Sequence, residues 1–252
     1  MRLLNFSSLS NQSFAGKLIR MPLRFIPRET ELPILQGPLR GRRWIAGSST
    51  HGCWLGSYEY EKQRLFQRVL KPGDVVFDLG ANVGFYTLLA SQLVGPAGTV
   101  CSFEPLPKNL RYLRKHLELN RVGNVQVLDT AVGNQNGTVY FQVHSDPSMG
   151  MISDQMTASS IEVDCIMLDD AIINEKLRAP NVLKIDIEGA EHEALEGAQH
   201  TLREFHPTIF LATHGADVHA RCCRMLRSFG YELRPMGAAS LDEAKEILAV
   251  HE

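Results

Sequence analysis

Two carboxylates and a glycine turn have the spacing of a site for a ligand that carries a ribose. Asp78, Gly80 and Gly84 follow an apolar run at residues 75–77, and Glu104 closes the next apolar run, twenty residues after Gly84. Glycines let backbone N–H groups approach a ligand, and a carboxylate at the end of the next strand accepts hydrogen bonds from vicinal ribose hydroxyls. The spacing therefore predicts a cofactor with a ribose.

The composition of the turn separates two classes of such cofactors. A nicotinamide cofactor needs Gly-x-Gly-x-x-Gly to wrap its pyrophosphate, but Asn82 takes the place of the middle glycine and Asp78 precedes the first. This turn suits a ligand without phosphates. S-adenosylmethionine fits, because Asp78 would favour its ammonium group and Glu104 would bind its ribose. A dehydrogenase is accordingly disfavoured.

The elements that must position these residues alternate along the chain. Apolar runs are followed by helical patterns, which predicts an α/β fold with a doubly wound, mostly parallel sheet and helices on both faces. The predicted strands are 75–78, 99–103, 125–128, 182–187, 208–212 and 231–233, and the predicted helices are 58–70, 85–94, 107–119, 188–205 and 216–229.

Three shorter segments complete this prediction. Residues 43–45 could form a short strand, and residues 137–143 an added antiparallel strand. The C-terminus is open to two interpretations. Ser240-x-x-Glu243 resembles the capping box of a helix, whereas residues 246–251 would serve as a final edge strand.

The composition excludes several classes of protein. With 252 residues, 44% hydrophobic and 21% charged, the chain suits a soluble domain with a full core, and its net charge of -2 gives no reason to propose nucleic acid as a partner. No apolar stretch reaches about 18 residues, which argues against a transmembrane helix. The five cysteines are odd in number and include no Cys-x-x-Cys pair, so we expect reduced thiols in a cytoplasmic protein.

The N-terminal segment has a different charge from the rest. Residues 1–50 contain eight Lys/Arg against Glu29 and Glu31. We interpret residues 1–52 as a basic, partly irregular extension and residues 53–252 as the cofactor-binding domain. Docking to a membrane surface or an acidic partner is a second interpretation of the extension. The composition of residues 1–28 also fits an organelle targeting peptide.

Four segments in this order resemble the FkbM family of S-adenosylmethionine-dependent methyltransferases. They are Asp78-Leu-Gly-Ala-Asn-Val-Gly-Phe-Tyr-Thr87, Phe103-Glu-Pro-Leu-Pro107, Leu168-Asp169-Asp170 and Lys184-Ile-Asp-Ile-Glu-Gly-Ala-Glu191. The resemblance covers about residues 53–235. It implies a class I methyltransferase (Rossmann-like) sheet with a reversed edge strand, and O-methylation of a hydroxyl on a sugar, glycan or secondary metabolite. A non-catalytic or regulatory protein that retains this fold is the alternative.

The resemblance also implies which residues bind the cofactor. Asp78, Gly80, Asn82 and Gly84 would form the turn under its methionine moiety, and Glu104 would bind its ribose hydroxyls. The segment Asp129-Thr130-Ala131 follows the third strand, where such folds contact adenine. Asp129 is then either an acceptor for the adenine amino group or a turn-forming aspartate.

Transfer of a methyl group to a hydroxyl needs a base for the hydroxyl proton, and three residues are candidates. Asp186 ends an apolar strand beside the predicted cofactor crevice, where an unpaired acid would be costly. Glu188 follows it, and there a carboxylate could equally stabilise a helix start. His214 ends the next strand and ionises near neutral pH, or is a loop histidine bound to backbone. Trp54 and Tyr58 could wall the acceptor pocket or simply pack on the sheet.

A divalent metal is a further possibility that the sequence does not favour. Asp186 together with Asp169, Asp170 or His214 could supply the oxygen ligands that magnesium takes. The Leu168-Asp169-Asp170 segment is more simply a helix start capped by an aspartate. We therefore expect S-adenosylmethionine as the cofactor and no metal. The sequence indicates neither the oligomeric state nor the acceptor.

Overall fold

The computed structural model describes residues 23, 25–142, 151–153, 160–174 and 176–251. Its strands are β1 (Glu31–Pro33), β2 (Arg43–Ile45), β3 (Val75–Leu79), β4 (Thr99–Phe103), β5 (Val125–Leu128), β6 (Ala131–Val132), β7 (Gly137–Gln142), β8 (Met151–Ser153), β9 (Ser160–Ile166), β10 (Val182–Ile185), β11 (Thr208–Ala212), β12 (Tyr231–Met236) and β13 (Glu246–His251). Its helices are α1 (His51–Leu55), α2 (Tyr60–Val69), α3 (Phe85–Val94), α4 (Pro107–Leu119), α5 (Leu168–Ile173), α6 (Glu191–Glu196), α7 (Gln199–Glu204) and α8 (Ala216–Ser228).

The central sheet has seven strands in the order β12-β13-β11-β10-β3-β4-β5. The pairs from β11 to β5 are all parallel. The order reverses between β10 and β3, whose carboxyl ends therefore open a crevice where ligands bind in such sheets. The predicted doubly wound, mostly parallel sheet is confirmed.

The reversed strand lies one position in from the edge of this sheet. Strand β13 pairs antiparallel with both β11 and β12, and β12 forms the edge. The C-terminal residues thus form a strand, which confirms one of the two interpretations. The other, a helix capped at Ser240, is wrong, because the described residues 240–251 contain no helix. Pairing with two neighbouring strands satisfies the backbone of these residues, which outweighs a local capping signal.

The middle of the chain contains one predicted element and one departure. The antiparallel strand expected over residues 137–143 forms as β7, which belongs to a second, four-stranded sheet with β6, β8 and β9. The helix predicted over residues 188–205 is divided into α6 and α7 at Gly197. A Cβ on Gly197 would lie 1.9 Å from the carbonyl oxygen of Gly133, so the chain needs glycine there to pack closely.

Apolar side chains cover both faces of the central sheet. On one face Val76, Val100, Val182 and Phe210 pack against α3 and α4, and on the other Phe77, Phe103, Leu183 and Ile209 belong to the cluster that includes α5, α7 and α8. Alternate residues of each strand point to opposite faces, which explains this division. Among the described residues no helix is both long enough and apolar enough to cross a membrane.

The segment before residue 52 is part of the same core where the structure describes it. Trp44 is fully buried and its ring stacks on His116 of α4 at 3.8 Å. His116 Nε2 accepts a hydrogen bond from the backbone N–H of Ile45, and the Asn120 side chain bonds both backbone groups of Arg43. The predicted boundary at residue 52 therefore cuts through a packed region. The predictions for residues 1–22 lie outside the described residues.

Candidate functional site

A cavity of about 780 Å³ opens at the carboxyl ends of the central strands. We call one part of its wall the turn side, which is formed by residues 80–83, 103–106, 108, 109 and 130–132. We call the other part the charged side, which is formed by residues 48–50, 53, 58, 59, 86, 184, 186–188, 212–214, 245 and 246. Both parts come from segments far apart in the chain, so only the complete fold creates the cavity.

The glycine turn between β3 and α3 is held in a conformation that most residues avoid. Gly80 has φ +74°, and a Cβ on it would lie 2.0 Å from the carbonyl oxygen of Asp186. Asn82 has φ 51°, and Gly84, at φ 90°, leaves no room for a Cβ beside Leu113. The turn therefore needs glycine at Gly80 and Gly84, and Asn82 is among the residues that tolerate a positive φ.

Glu104 lies where the sequence predicts a ribose-binding carboxylate, at the end of β4 on the turn side of the cavity. Its Oε2 accepts from the backbone N–H of Asn82 at 2.8 Å, and its Oε1 accepts from Leu106 N–H and the Asn109 amide. Burial raises its pKa, although these hydrogen bonds and Lys184 oppose the rise. A carboxylate offers about four acceptor positions, so one remains for a ligand hydroxyl.

Asp78 lies in the interior rather than on the cavity wall. The strand register places it beside Lys184 and Ser102, and it is 1% exposed. Lys184 Nζ is 3.0 Å from Asp78 Oδ1 and donates to the carbonyl oxygen of Gly80 at 2.8 Å. Thr87 donates to the other carboxylate oxygen. Asp78 thus holds Lys184, which bonds the turn, and the expected contact of Asp78 with the cofactor ammonium stays a prediction.

The residues expected near adenine differ in their placement. Ala131 lines the turn side of the cavity together with Thr130. Asp129 is outside the lining residues, and its carboxylate accepts from Arg114, with about half of each side chain exposed. The side chain of Asp129 thus forms a surface ion pair, and its contact with the adenine amino group stays a prediction.

Asp186, Glu188 and His214 come together on the charged side, as their positions at two strand ends predict. One ligand atom from each lies within 4.8 Å of the others. His214 Nε2 is 3.4 Å from Glu188 Oε2 and 3.9 Å from Asp186 Oδ1. Glu188 has φ 56°, a positive value that non-glycine residues rarely adopt. We call these three residues the carboxylate–histidine cluster.

Glu191 orients the histidine of this cluster from behind. Its side chain is completely buried, and its Oε1 lies 2.8 Å from His214 Nδ1 and accepts from the backbone N–H of Gly189. Its Oε2 has no hydrogen-bond partner among the described residues. The sequence placed Glu191 at a helix start, and only the close approach of β10 and β11 shows that it reaches His214.

The pKa values of the cluster follow from these contacts. The hydrogen bond to Glu191 raises the pKa of His214, and the charges of Glu191, Glu188 and Asp186 add to the rise while burial opposes it. Burial would raise the pKa of Asp186, but the positive charges of Lys184, Lys62 and His214 together lower it. Asp186 therefore stays ionised at neutral pH, and its negative charge favours a cation beside it.

Asp169 and Asp170 are absent from the lining of the cavity. Asp169 accepts from the backbone N–H groups of His200 and Thr201, at the start of α7. It was expected to cap the helix it belongs to, α5, but it caps α7, because α5 and α7 pack together. The structure therefore does not bring Asp186 together with either of these aspartates into a metal site.

A buried lysine pairs with two carboxylates of the charged side, and sequence reasoning missed it. Lys62 is 6% exposed and pairs with Glu59, 2.7 Å away, and with Glu246. The hydroxyl of Tyr86 donates to Glu59 at 2.7 Å. The three-residue spacing of Glu59 and Lys62 is a local signal for their ion pair. Glu246 approaches them only because β13 joins the central sheet. Tyr58 lines the cavity, and Trp54 is buried in the core.

Comparison with known proteins points to methyltransferases. Residues 78–233 match the family profile described as the methyltransferase FkbM domain. The chain is 31% identical to 31-O-demethyl-FK506 methyltransferase FkbM of Streptomyces tacrolimicus, with 52% of this chain and 61% of the relative covered. It is 26% identical to the hexuronic acid methyltransferase AglP of Haloferax volcanii, with 63% and 64% covered. The chain thus spans less than two thirds of these relatives.

A solved structure has the same fold. The methyltransferase FkbM from Methylobacillus flagellatus KT superposes with a TM-score of 0.52 at 18% sequence identity, over 81% of this chain and 56% of that one. This likeness confirms the class I methyltransferase fold that the sequence predicts.

Proposed function

The chain belongs to the FkbM methyltransferase family, and from this premise we propose that it transfers a methyl group from S-adenosylmethionine to a hydroxyl group. The proposed acceptor is a sugar, a glycan or a hydroxylated secondary metabolite. The observation that carries the proposal is Glu104, a carboxylate at a strand end with its Oε2 bonded to the backbone of the glycine turn.

The turn side fits S-adenosylmethionine. Glu104 would accept from the ribose hydroxyls, and the Gly80–Asn82 turn would lie against the methionine moiety, since Gly80 brings no side chain into the cavity. Thr130 and Ala131 would border the adenine. A volume of about 780 Å³ is in the range of pockets that enclose ligands of this size and leaves room for an acceptor.

S-adenosylmethionine supplies a methyl carbon made electrophilic by the neighbouring sulfonium. The residues of this chain have two tasks. They align the acceptor oxygen with that carbon, which is an orientation effect, and they remove the hydroxyl proton as the oxygen attacks. Atoms of Asp186, Glu188 and His214 lie within 4.8 Å of one another, so one hydroxyl can contact them together. The proton passes to this cluster.

The lining of the charged side supports a polar, hydroxylated acceptor. Ser48, Ser49 and Thr50 bring hydroxyl groups to the wall, and Glu59 and Glu246 bring carboxylates. Such groups pair with the hydroxyls of a sugar, and the ring of Tyr58 adds an apolar surface. By their names, the relatives above act on 31-O-demethyl-FK506 and on a hexuronic acid. The first name supports an oxygen acceptor, and the second supports a sugar acid.

The test uses S-adenosylmethionine with a labelled methyl group and two panels of acceptors, one of glycans and one of hydroxylated metabolites. We expect label in an ether that resists base, with one S-adenosylhomocysteine released per methyl group. A His214→Gln variant should bind the cofactor but transfer at least a hundredfold more slowly. Binding of NAD instead of S-adenosylmethionine would contradict the proposal. Cofactor binding without transfer to any acceptor would favour the non-catalytic alternative.

A further inference from the structure

We propose that the carboxylate–histidine cluster, Asp186, Glu188 and His214, binds one divalent cation. The three side chains come from the end of β10, the loop after it and the end of β11, and all line the charged side of the cavity. Each offers one ligand atom, and these atoms lie within 4.8 Å of one another. Only the role of this cation in the reaction rests on the proposed function.

The distances within the cluster suit a shared ion better than hydrogen bonds. His214 Nε2 lies 3.4 Å from Glu188 Oε2 and 3.9 Å from Asp186 Oδ1, beyond the usual 2.7–3.2 Å of an N–H···O bond. Donor atoms at about 2.1 Å from one cation are roughly 3.0 Å apart at a right angle and roughly 3.6 Å apart at 120°. The shorter distance falls in this interval, and a small closing movement brings in the longer one.

A residue outside the cluster prepares the histidine as a ligand. Glu191 is completely buried, and its Oε1 lies 2.8 Å from His214 Nδ1. A carboxylate there holds the proton on Nδ1 and leaves the Nε2 lone pair facing the two carboxylates. Metal-binding histidines commonly have their second nitrogen held in this way. Burial of an acid for this contact alone is costly, and a bound cation would offset part of that cost.

The two oxygens of Asp186 have separate surroundings. Oδ2 lies 3.9 Å from Lys184 Nζ, and Oδ1 faces His214. Lys184 is itself occupied by Asp78 and by the carbonyl oxygen of Gly80. Lys184 therefore leaves Oδ1 of Asp186 to the cluster. The cluster and Glu191 place three carboxylates around one imidazole, an excess of negative charge that favours a cation.

The mixture of one nitrogen and two oxygen donors favours particular ions. Imidazole suits transition metals, and carboxylates suit harder cations, so Mn²⁺ fits both. Calcium and magnesium prefer oxygen ligands throughout. A cation in this position would contact the acceptor hydroxyl as a Lewis acid and lower its pKa. The general bases of the proposed function would then include the water around the cation.

The test is a titration of the full chain, freed of metal with a chelator, with Mn²⁺ observed by electron paramagnetic resonance. We expect one saturable Mn²⁺ per chain. Glu188→Gln and His214→Gln should each weaken it at least tenfold. Asp170→Asn is the matched control, because this aspartate is half-buried like the two acids of the cluster but lies outside the cavity. It should leave the Mn²⁺ affinity unchanged.

Three outcomes overturn the proposal: no saturable Mn²⁺, Mn²⁺ binding that neither cluster variant weakens, or binding that Asp170→Asn weakens equally. S-adenosylhomocysteine binding is measured on the same samples. If it is retained while Mn²⁺ binding is absent, the cation site fails and the proposed function stands. If S-adenosylhomocysteine does not bind and Mn²⁺ does, the proposed function fails and the cation site stands.

Discussion

The two sides of the cavity are built in different ways. The turn side contains one carboxylate, the buried Glu104, which already accepts from three groups of the protein. The charged side contains a cluster of partly exposed side chains: Asp186, Glu188 and His214 keep 26%, 30% and 36% of their side-chain surface. The carboxylate of the turn side is thus largely paired, whereas the cluster of the charged side can bind a proton or a cation.

This difference agrees with the proposed function, in which one set of residues binds the cofactor and another takes part in the transfer. A preorganised, paired surface suits a ligand that is the same in every turnover. Groups that can still accept a proton suit the transfer step, because a proton leaves the acceptor hydroxyl in that step. We therefore expect substitutions on the turn side to change cofactor affinity, and substitutions on the charged side to change the rate of transfer.

The largest effect should come from a substitution at the point where the two sides of the cavity touch. Gly80→Ala places a Cβ at a positive φ and 2.0 Å from the Asp186 carbonyl oxygen. We expect it to lower the free energy of unfolding by about 4 kcal/mol or more and to abolish cofactor binding. Gly73→Ala is the control, since Gly73 has φ +92° and nothing within 4 Å. It should cost only about 1 kcal/mol. Equal losses in thermal unfolding would refute the close contact.

Lys62→Met tests whether the charged side can be damaged alone. Lys62 is 5% exposed at its side chain, and its removal leaves Glu59 and Glu246 facing each other. We expect a loss of about 2 kcal/mol in unfolding free energy, less than for a fully buried pair because both acids keep some contact with water. Transfer should slow while S-adenosylhomocysteine binding stays near that of the wild type.

The control for this variant is Lys115→Met, which removes a lysine whose partner Glu118 is 72% exposed. It should change the unfolding free energy by less than about 0.5 kcal/mol. If Lys62→Met is as mild as this control, the buried network has no role in holding the charged side.

His116 connects strand β2 to the turn side, and its protonation makes the stability of the fold depend on pH. Its Nδ1 lies 2.8 Å from the carbonyl oxygen of Val83, and burial lowers its pKa from 6.5 to about 4. Between these values the unfolded chain binds a proton that the folded chain does not. Stability should therefore be complete above pH 6.5 and fall by about 1.4 kcal/mol per pH unit down to about pH 4.

Urea unfolding from pH 7 to pH 5 measures this slope. The glutamine of His116→Gln cannot ionise. The unfolding free energy of this variant should therefore fall less steeply with pH than that of the wild type, by about 1.4 kcal/mol per pH unit. A variant with the slope of the wild type would show that His116 titrates alike in the folded and unfolded chain.

The smallest effect should come from Asp129, which the sequence placed near adenine. Its carboxylate pairs with Arg114 at the surface. Asp129→Ala should change the unfolding free energy by less than about 0.5 kcal/mol, as for exposed ion pairs, and the affinity for S-adenosylhomocysteine by less than about threefold. A tenfold loss of affinity would show that Asp129 bonds the adenine amino group after all, and would extend the turn side to residue 129.

The turn side could be predicted from the sequence because its features are local. A glycine turn and an acid at the next strand's end are fixed by two strands and one helix, so the position of Glu104 followed from spacing alone. Asp186 and His214 were found for the same reason, since parallel strands end at one edge. The pairing of Asp78 with Lys184 could not be predicted, because only the strand register puts the two residues side by side.

The remainder of the charged side could not be predicted, because distant segments form it. Glu246 reaches Lys62 only when β13 enters the sheet, and Ser48–Thr50 line the cavity only when β2 packs on α4. The division of α6 from α7 depends on the close approach of Gly133 to Gly197. Likewise Asp169 caps a helix that follows thirty residues later in the chain. In each case a tertiary contact overrides a local pattern.

Calorimetric titration with S-adenosylhomocysteine tests the central claim, that one side binds the cofactor and the other performs the transfer. The wild type, Glu104→Gln and Glu188→Gln are compared. We expect saturable binding by the wild type, a loss of about 1–3 kcal/mol in Glu104→Gln because an NH2 donor replaces one of the two acceptor oxygens, and an affinity within about threefold of the wild type in Glu188→Gln. Equal losses in the two variants, or no binding by the wild type, would contradict the account.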